Sequence, residues 1–148
     1  DLRRLVEDED APLEQRFLAA EVLFRVDKRF PPKSLAPELA RIYVGALRDG
    51  VVNAANAWSM PGELDGPAGQ HLVKLGSAAE SELEGALADS TSVTYAGSRE
   101  ASIGNSYKYR VKDIAAQLLR AIRGETLEVD TSPTRRDRAI RELRKASG

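Results

Sequence analysis

The side chains that could do chemistry in this chain are few and scattered. His71 is the sole histidine, and it stands beside Leu72 in an apolar helical pattern. A lone imidazole in that setting reads as a partly buried helix residue before it reads as a general base. Cysteine is absent, which excludes disulfides, thiolate zinc sites and a cysteine nucleophile together. The acidic run Glu7-Asp8-Glu9-Asp10 lacks the alternating Asp-x-Asp-x-Asp-Gly order of a calcium loop and is most simply a solvated turn. Glu80, Glu82 and Glu84 take alternate sides of a helix and do not converge as a carboxylate pair. Ser98 has no base near it in sequence, and Gly97-Ser98 and Ile103-Gly104-Asn105 lack the preceding strand that a phosphate-cradling loop needs. The chain therefore reads as a non-enzyme, with no cofactor and no metal expected.

Binding chemistry is better represented. Residues 94–109 mix Tyr95, Arg99, Asn105 and Tyr107 with the turn residues Gly97 and Gly104. Tyr and Arg are the residue types that anchor protein interfaces, and glycine gives the backbone freedom to present them. These four are the candidate contacts. The competing reading is a loop packed on its own repeat by Tyr95, Ile103 and Tyr107. Trp58, the only tryptophan, is a fifth candidate beside Met60-Pro61-Gly62, although a large aromatic is more often partly buried.

Elements that would position these residues follow from periodicity. The strongest helix runs from Tyr107 to Gly124, with Tyr107, Val111, Ile114, Ala115, Leu118, Leu119 and Ile122 on one face. Residues 12–27 predict a helix whose wide buried face includes Phe17, Leu18, Val22, Leu23, Phe24 and Val26, capped by Asp10 or the acids before it. Phe30-Pro31-Pro32 stops it. A helix over 34–48 follows, with Asp49-Gly50 at its end, then shorter ones over 67–75 and 77–88. A last helix begins at Ser132-Pro133. Residues 50–66 hold at most a short helix before two turn signals, and residues 90–106 read as an ordered excursion and not as a strand.

Size, charge and composition limit the rest. The chain has 148 residues, 42% of them hydrophobic and 30% charged, which suits one globular domain rich in helix. No run approaches the ~20 apolar residues that cross a bilayer, so no membrane partner is expected. The chain begins at Asp1 and not at Met, as a processed product or a piece of something longer would, and its compartment stays undecided.

Two short matches alternate along the chain. Gly45-Ala46-Leu47-x-Asp49 recurs as Gly85-Ala86-Leu87-x-Asp89, and an Ala-x3-Leu-x2-apolar triad occurs at Ala19, at Ala68 and at Ala115. The order is that of a repeat built from two alternating kinds of helix. The segments Leu72 to Ala79, Leu83, Ala86-Leu87-x-Asp89 and Tyr109-Arg110-Val111-x3-Ala115-Ala116-x2-Leu119 resemble HEAT repeats of the armadillo-like superfamily. That resemblance covers 67–124 best. It implies an all-α superhelix of about three helical pairs in a single domain over 1–148, acting as a protein-binding scaffold, and it casts Asp89 and Arg110 as a structural pair. This chain departs from the family in lacking a mid-helix proline in its outer helices and in its two long connectors.

In a regular stack both connectors, 50–66 and 90–106, would lie on the same edge as neighbouring binding loops. Nucleic acid is the competing partner class. From Pro133 onward six cations, Arg135, Arg136, Arg138, Arg141, Arg144 and Lys145, face only Asp137 and Glu142. Against it stands the formal net charge of −1 over the whole chain, which supplies no general attraction to phosphate.

Overall fold

The computed structural model describes residues 1–147, and those residues form eight α-helices and no strand. In chain order they are α1 (Leu2–Glu7), α2 (Leu13–Val26), α3 (Ala36–Arg48), α4 (Pro67–Lys74), α5 (Glu80–Ala86), α6 (Ser98–Ser106), α7 (Val111–Ile122) and α8 (Pro133–Ser147). Short 3-10 turns at Lys33–Leu35, Ala55–Trp58 and Gly76–Ala79 lead into α3, fill the first connector and open α5. Among the described residues no helix is long and apolar enough to cross a membrane.

The core lies where α2, α3, α4, α5 and α7 meet. Helix α3 packs on α2, α4 and α5, while α7 packs on α4, α5 and α8. Helix α7 is the most buried element, with Val111, Ile114, Ala115, Ala116, Leu118 and Leu119 all nearly inaccessible. Near α2 and α3 the core is aromatic. The ring of Phe17 meets Tyr43 at 4.9 Å and Trp58 at 5.8 Å, and Phe24 meets Phe30 at 4.9 Å, at separations that suit edge-to-face contact. Glu21 of α2 accepts hydrogen bonds from the Tyr43 hydroxyl and His71 Nδ1, and the His71 ring stacks on Phe24 at 4.3 Å. The histidine is thus a tie between α2 and α4.

Four sequence expectations need correction. Glu80 and Glu84, one turn apart, share a side of α5 and both pair with Arg123, at 2.8 Å and 3.2 Å, instead of taking alternate sides. Helix α7 begins at Val111 and not at Tyr107, because Lys108 takes a left-handed φ of +54° and Arg110 is extended, forming an isolated antiparallel bridge with Ser92. Helix α2 has no side-chain cap; Pro12 itself is its first flanking residue. Leu18, Val22 and Val26 of α2 face solvent instead of the core, since the buried side is taken by Phe17, Ala20 and Phe24.

The expected Asp89–Arg110 pairing gives way to other partners. Asp89 accepts from Arg48 Nε at 3.1 Å and from the Thr91 amide. Arg110 turns instead to the first turn of its own helix, bonding Asp113 at 2.8 Å and Asp137 of α8 at 2.9 Å. The Asp113 carboxylate accepts from both the amide and the guanidinium of Arg110 three positions before it, and that local geometry wins over a longer reach to Asp89.

Candidate functional site

The two long connectors touch. Ala55 N donates to Thr94 O at 2.9 Å, and the buried Tyr95 hydroxyl donates to Ser59 O at 2.8 Å. Asn56 grips Ala96 at both ends, accepting from its amide at 2.8 Å and donating to its carbonyl at 3.0 Å. Asn105 treats the neighbouring residue in the same way, accepting from Tyr95 N at 2.8 Å and donating to Tyr95 O at 3.1 Å. Each carboxamide thereby supplies one donor and one acceptor, the pair that a strand neighbour would otherwise offer to an extended backbone. Where no sheet exists, two asparagines substitute for it.

The first connector is anchored from below by Gln117 of α7, a residue sequence reasoning passed over. Its Oε1 accepts from Gly62 N at 2.8 Å and from the Tyr109 hydroxyl at 2.7 Å; its Nε2 donates to Met60 O at 3.0 Å and Glu63 O at 2.6 Å. The signal was present: a carboxamide in the middle of an apolar helix face must find buried partners. Burial pushes the Tyr109 phenol well above its ordinary value, with help from the charge of Asp113, so the hydroxyl remains a donor. The loop also closes on itself. Asp65 accepts from Met60 N at 2.9 Å, and the Ser59 hydroxyl accepts from Gly66 N at 2.9 Å. Gly66 is required by space, since a Cβ there would lie 2.4 Å from the carbonyl oxygen of Asn56.

The second connector carries α6. Its Gly104 seats on the Tyr95 ring so closely that a Cβ would meet the ring at 2.6 Å. Arg99, Glu100 and Ile103 of α6 are left exposed to solvent. Together with Met60, Pro61, Glu63 and Asp65 of the first connector they line an open cleft of about 280 Å³. Its floor is apolar. Its wall carries three carboxylates around one guanidinium, and the Glu63 carboxyl is raised above its usual range by its hydrogen bond to Asp65 and by that neighbour's charge. Among the described residues no group of three or more His, Cys, Asp and Glu is placed to hold a metal ion.

The five candidate contacts thus separate. Arg99 lines the cleft. Asn105 is exposed, yet its amide is committed to Tyr95. Tyr107 is half-buried with its ring 6.3 Å from that of Tyr109, and its carbonyl accepts from Arg136. Tyr95 and Trp58 are corrected as surface contacts: each is 2% exposed. The reason is area, because a large ring beside an apolar core gains more from burial than from display. Their work is to hold the connectors in place.

A second polar cluster joins α7 to α8. The Asp113 carboxylate, fully out of solvent, lies between Arg110 Nε at 2.8 Å and Arg136 Nε at 3.0 Å. Arg136 also donates to the carbonyls of Tyr107 and Asp130. At Asp137 burial opposes ionisation, but the hydrogen bond from Lys112 and the charges of Arg110 and Lys112 outweigh it and hold the carboxyl below the usual range. Beyond this cluster Arg138, Arg141 and Arg144 are exposed and make no ion pair among the described residues. No protein-family model matches this chain, and no curated protein or solved structure matches it.

Proposed function

We propose that the chain is a HEAT-like helical scaffold that binds another protein, without chemistry of its own, on the rim made by residues 50–66 and 90–106. The observation that carries this reading is the mutual locking of the two connectors. Asn56, Asn105 and Tyr95 hold the two loops as one rigid surface, and rigidity lowers the ordering cost of binding. What that rigidity holds in place is a cleft with an apolar floor, Met60, Pro61 and Ile103, and a charged wall, Glu63, Asp65, Arg99 and Glu100. An apolar centre with a polar edge is the usual anatomy of a protein interface. The stacked-pair architecture is supported by packing between like helices: α3 meets α5, and α4 meets both α2 and α7.

The test is affinity capture from the source cells with three baits: wild type, Arg99→Glu/Ile103→Asp, and Arg138→Glu/Arg141→Glu. All substituted positions are exposed, so circular dichroism should match in all three. The expected result is loss of partners with the first variant and retention with the second. Partners shared equally by all three baits would overturn the rim.

A second reading rests on the unpaired Arg138, Arg141 and Arg144 of α8, which together could contact phosphates. It predicts duplex-DNA affinity that falls steeply with salt and is lost in the Arg138→Glu/Arg141→Glu variant. Affinity that is absent, or independent of salt, excludes it.

A further inference from the structure

Among the described residues the large apolar side chains left exposed are Leu2, Leu18, Val22, Val26 and Ile103, and three of the five lie on α2. Leu18 is 52% exposed, Val22 39% and Val26 70%. At spacings of four residues they form one stripe along the helix, opposite the side that Phe17, Ala20 and Phe24 bury. Helix α2 is thus built with two apolar faces and uses one. A contiguous apolar stripe on an otherwise polar surface marks an interaction site.

The charges beside the stripe say what covers it. Glu14 and Arg25 are both exposed, and neither makes an ion pair among the described residues. They are eleven positions apart, so at 3.6 residues per turn they lie within about 20° of each other on the same flank, roughly 16 Å apart along the axis. Leu18 and Val22 lie midway between them. A two-fold axis normal to a pair of antiparallel helices carries each flank onto the same flank of the other helix. An axis placed at the level of Ala20 therefore sets Leu18 against Val22 of the second copy, and Glu14 against Arg25 of the second copy, twice over. The stripe is complementary to itself only in this antiparallel sense; a parallel two-fold copy would carry Glu14 and Arg25 to the opposite flank and leave both without a partner across the interface.

We propose that α2 is the interface of a two-fold dimer of this chain, antiparallel, with Leu18 on the partner copy's Val22 and reciprocal Glu14–Arg25 ion pairs at its ends. The surface is independent of the connector rim and of what that rim binds. Its contact area is small, so the dimer is a weak one.

Sedimentation equilibrium up to about 0.5 mM chain tests this. The wild type is expected to dimerise in that range. Val22→Glu, at an exposed position, weakens association at least about tenfold while thermal melting stays near wild type. Glu14→Arg and Arg25→Glu each weaken it, and the double swap Glu14→Arg/Arg25→Glu restores it, which loss of helix stability would not do. Because the chain has no native cysteine, register is read directly: Leu18→Cys chains mixed with Val22→Cys chains form a disulfide faster under mild oxidant than either variant alone. A monomer throughout the concentration range overturns the proposal and leaves the stripe to a helix of a different protein. So does a dimer indifferent to Val22→Glu, or one whose double swap stays as weak as the single swaps.

Discussion

Replacing Gln117 by Met keeps the length and volume of the side chain and removes all four of its hydrogen bonds. Gln117 is 5% exposed, and two of its partners, the Tyr109 hydroxyl and the Met60 carbonyl, belong to residues that are 4% and 9% exposed. Each of these loses its partner out of reach of water, at a cost of about 1–3 kcal/mol. Gly62 and Glu63 lie nearer solvent, so water can replace what Gln117 gave them. Met recovers roughly 1 kcal/mol by burying apolar surface. The net expectation is a loss of about 1–5 kcal/mol, read as a fall of about 0.5–3 M in the urea midpoint at an m value of about 1.5–2 kcal/mol/M. Native-state hydrogen exchange should also show the Gly62 amide losing protection first, because its acceptor is gone. Tyr109→Phe supplies a cycle: its cost in the Gln117→Met background should fall by about 1 kcal/mol relative to wild type. A loss below about 0.5 kcal/mol, with Gly62 exchange unchanged, would refute the claim that Gln117 holds the first connector.

Other perturbations separate the remaining contributions. Gly104→Ala drives a Cβ into the Tyr95 ring and should cost about 1–3 kcal/mol in thermal or urea unfolding, with α6 amides exchanging faster than those of α7. Asp113→Asn leaves the buried guanidinium of Arg136 without a counter-charge, while Arg110 keeps Asp137; a loss of about 3–5 kcal/mol is expected, and a loss under 1 kcal/mol would mean that the cluster is idle. Ser59 has a φ of +99° and a buried hydroxyl that accepts from Gly66 N. Ser59→Ala loses the bond and keeps the strain, whereas Ser59→Gly loses the bond and relieves it, so the glycine variant should be the more stable of the two by about 1 kcal/mol in matched urea titrations. Finally, the carboxyls of Glu38, Asp89 and Asp137 are all held below their ordinary values, despite burial, by hydrogen bonds and charges from Arg16 and Arg41, from Thr91 and Arg48, and from Lys112 and Arg110. Their stabilisation is present above the unfolded values near pH 4 and is lost as pH falls through the lower folded ones, so the urea midpoint should drop below about pH 4, and less so in Asp137→Asn.

What could be read from the sequence was governed by the reach of each signal. Helix α7 is legible because its six apolar positions from Val111 to Ile122 repeat over about three turns and Gly124 closes it with φ +71°. That the 50–66 and 90–106 connectors are neighbours followed from placing helices in alternating order, and the Asn56–Ala96 and Tyr95–Ser59 bonds join them. Helix α6 escaped notice because Ser98 to Ser106 has little apolar content and two residues, Gly104 and Asn105, whose propensity opposes helix; Tyr95, not periodicity, gives it a place to dock. The exposed stripe on α2 was misread as core for the opposite reason. Periodicity says which residues share a face, not which of two faces is covered.

The same limit explains why the candidate contacts divided as they did. Tyr95, Asn105 and Trp58 stood out by residue type, and type alone does not distinguish a side chain that meets a partner from one that fixes the backbone that does. Here both asparagines commit a donor and an acceptor to backbone, and both rings are inside. The exposed positions on α6 include Arg99, Glu100 and Ile103. An exposed Ile at 44% beside an unburied Arg has no packing role to account for it, while every other large apolar residue of the two connectors is buried or half-buried. That asymmetry makes Arg99→Glu/Ile103→Asp the discriminating variant: it removes the outward chemistry and leaves each internal bond of the rim intact.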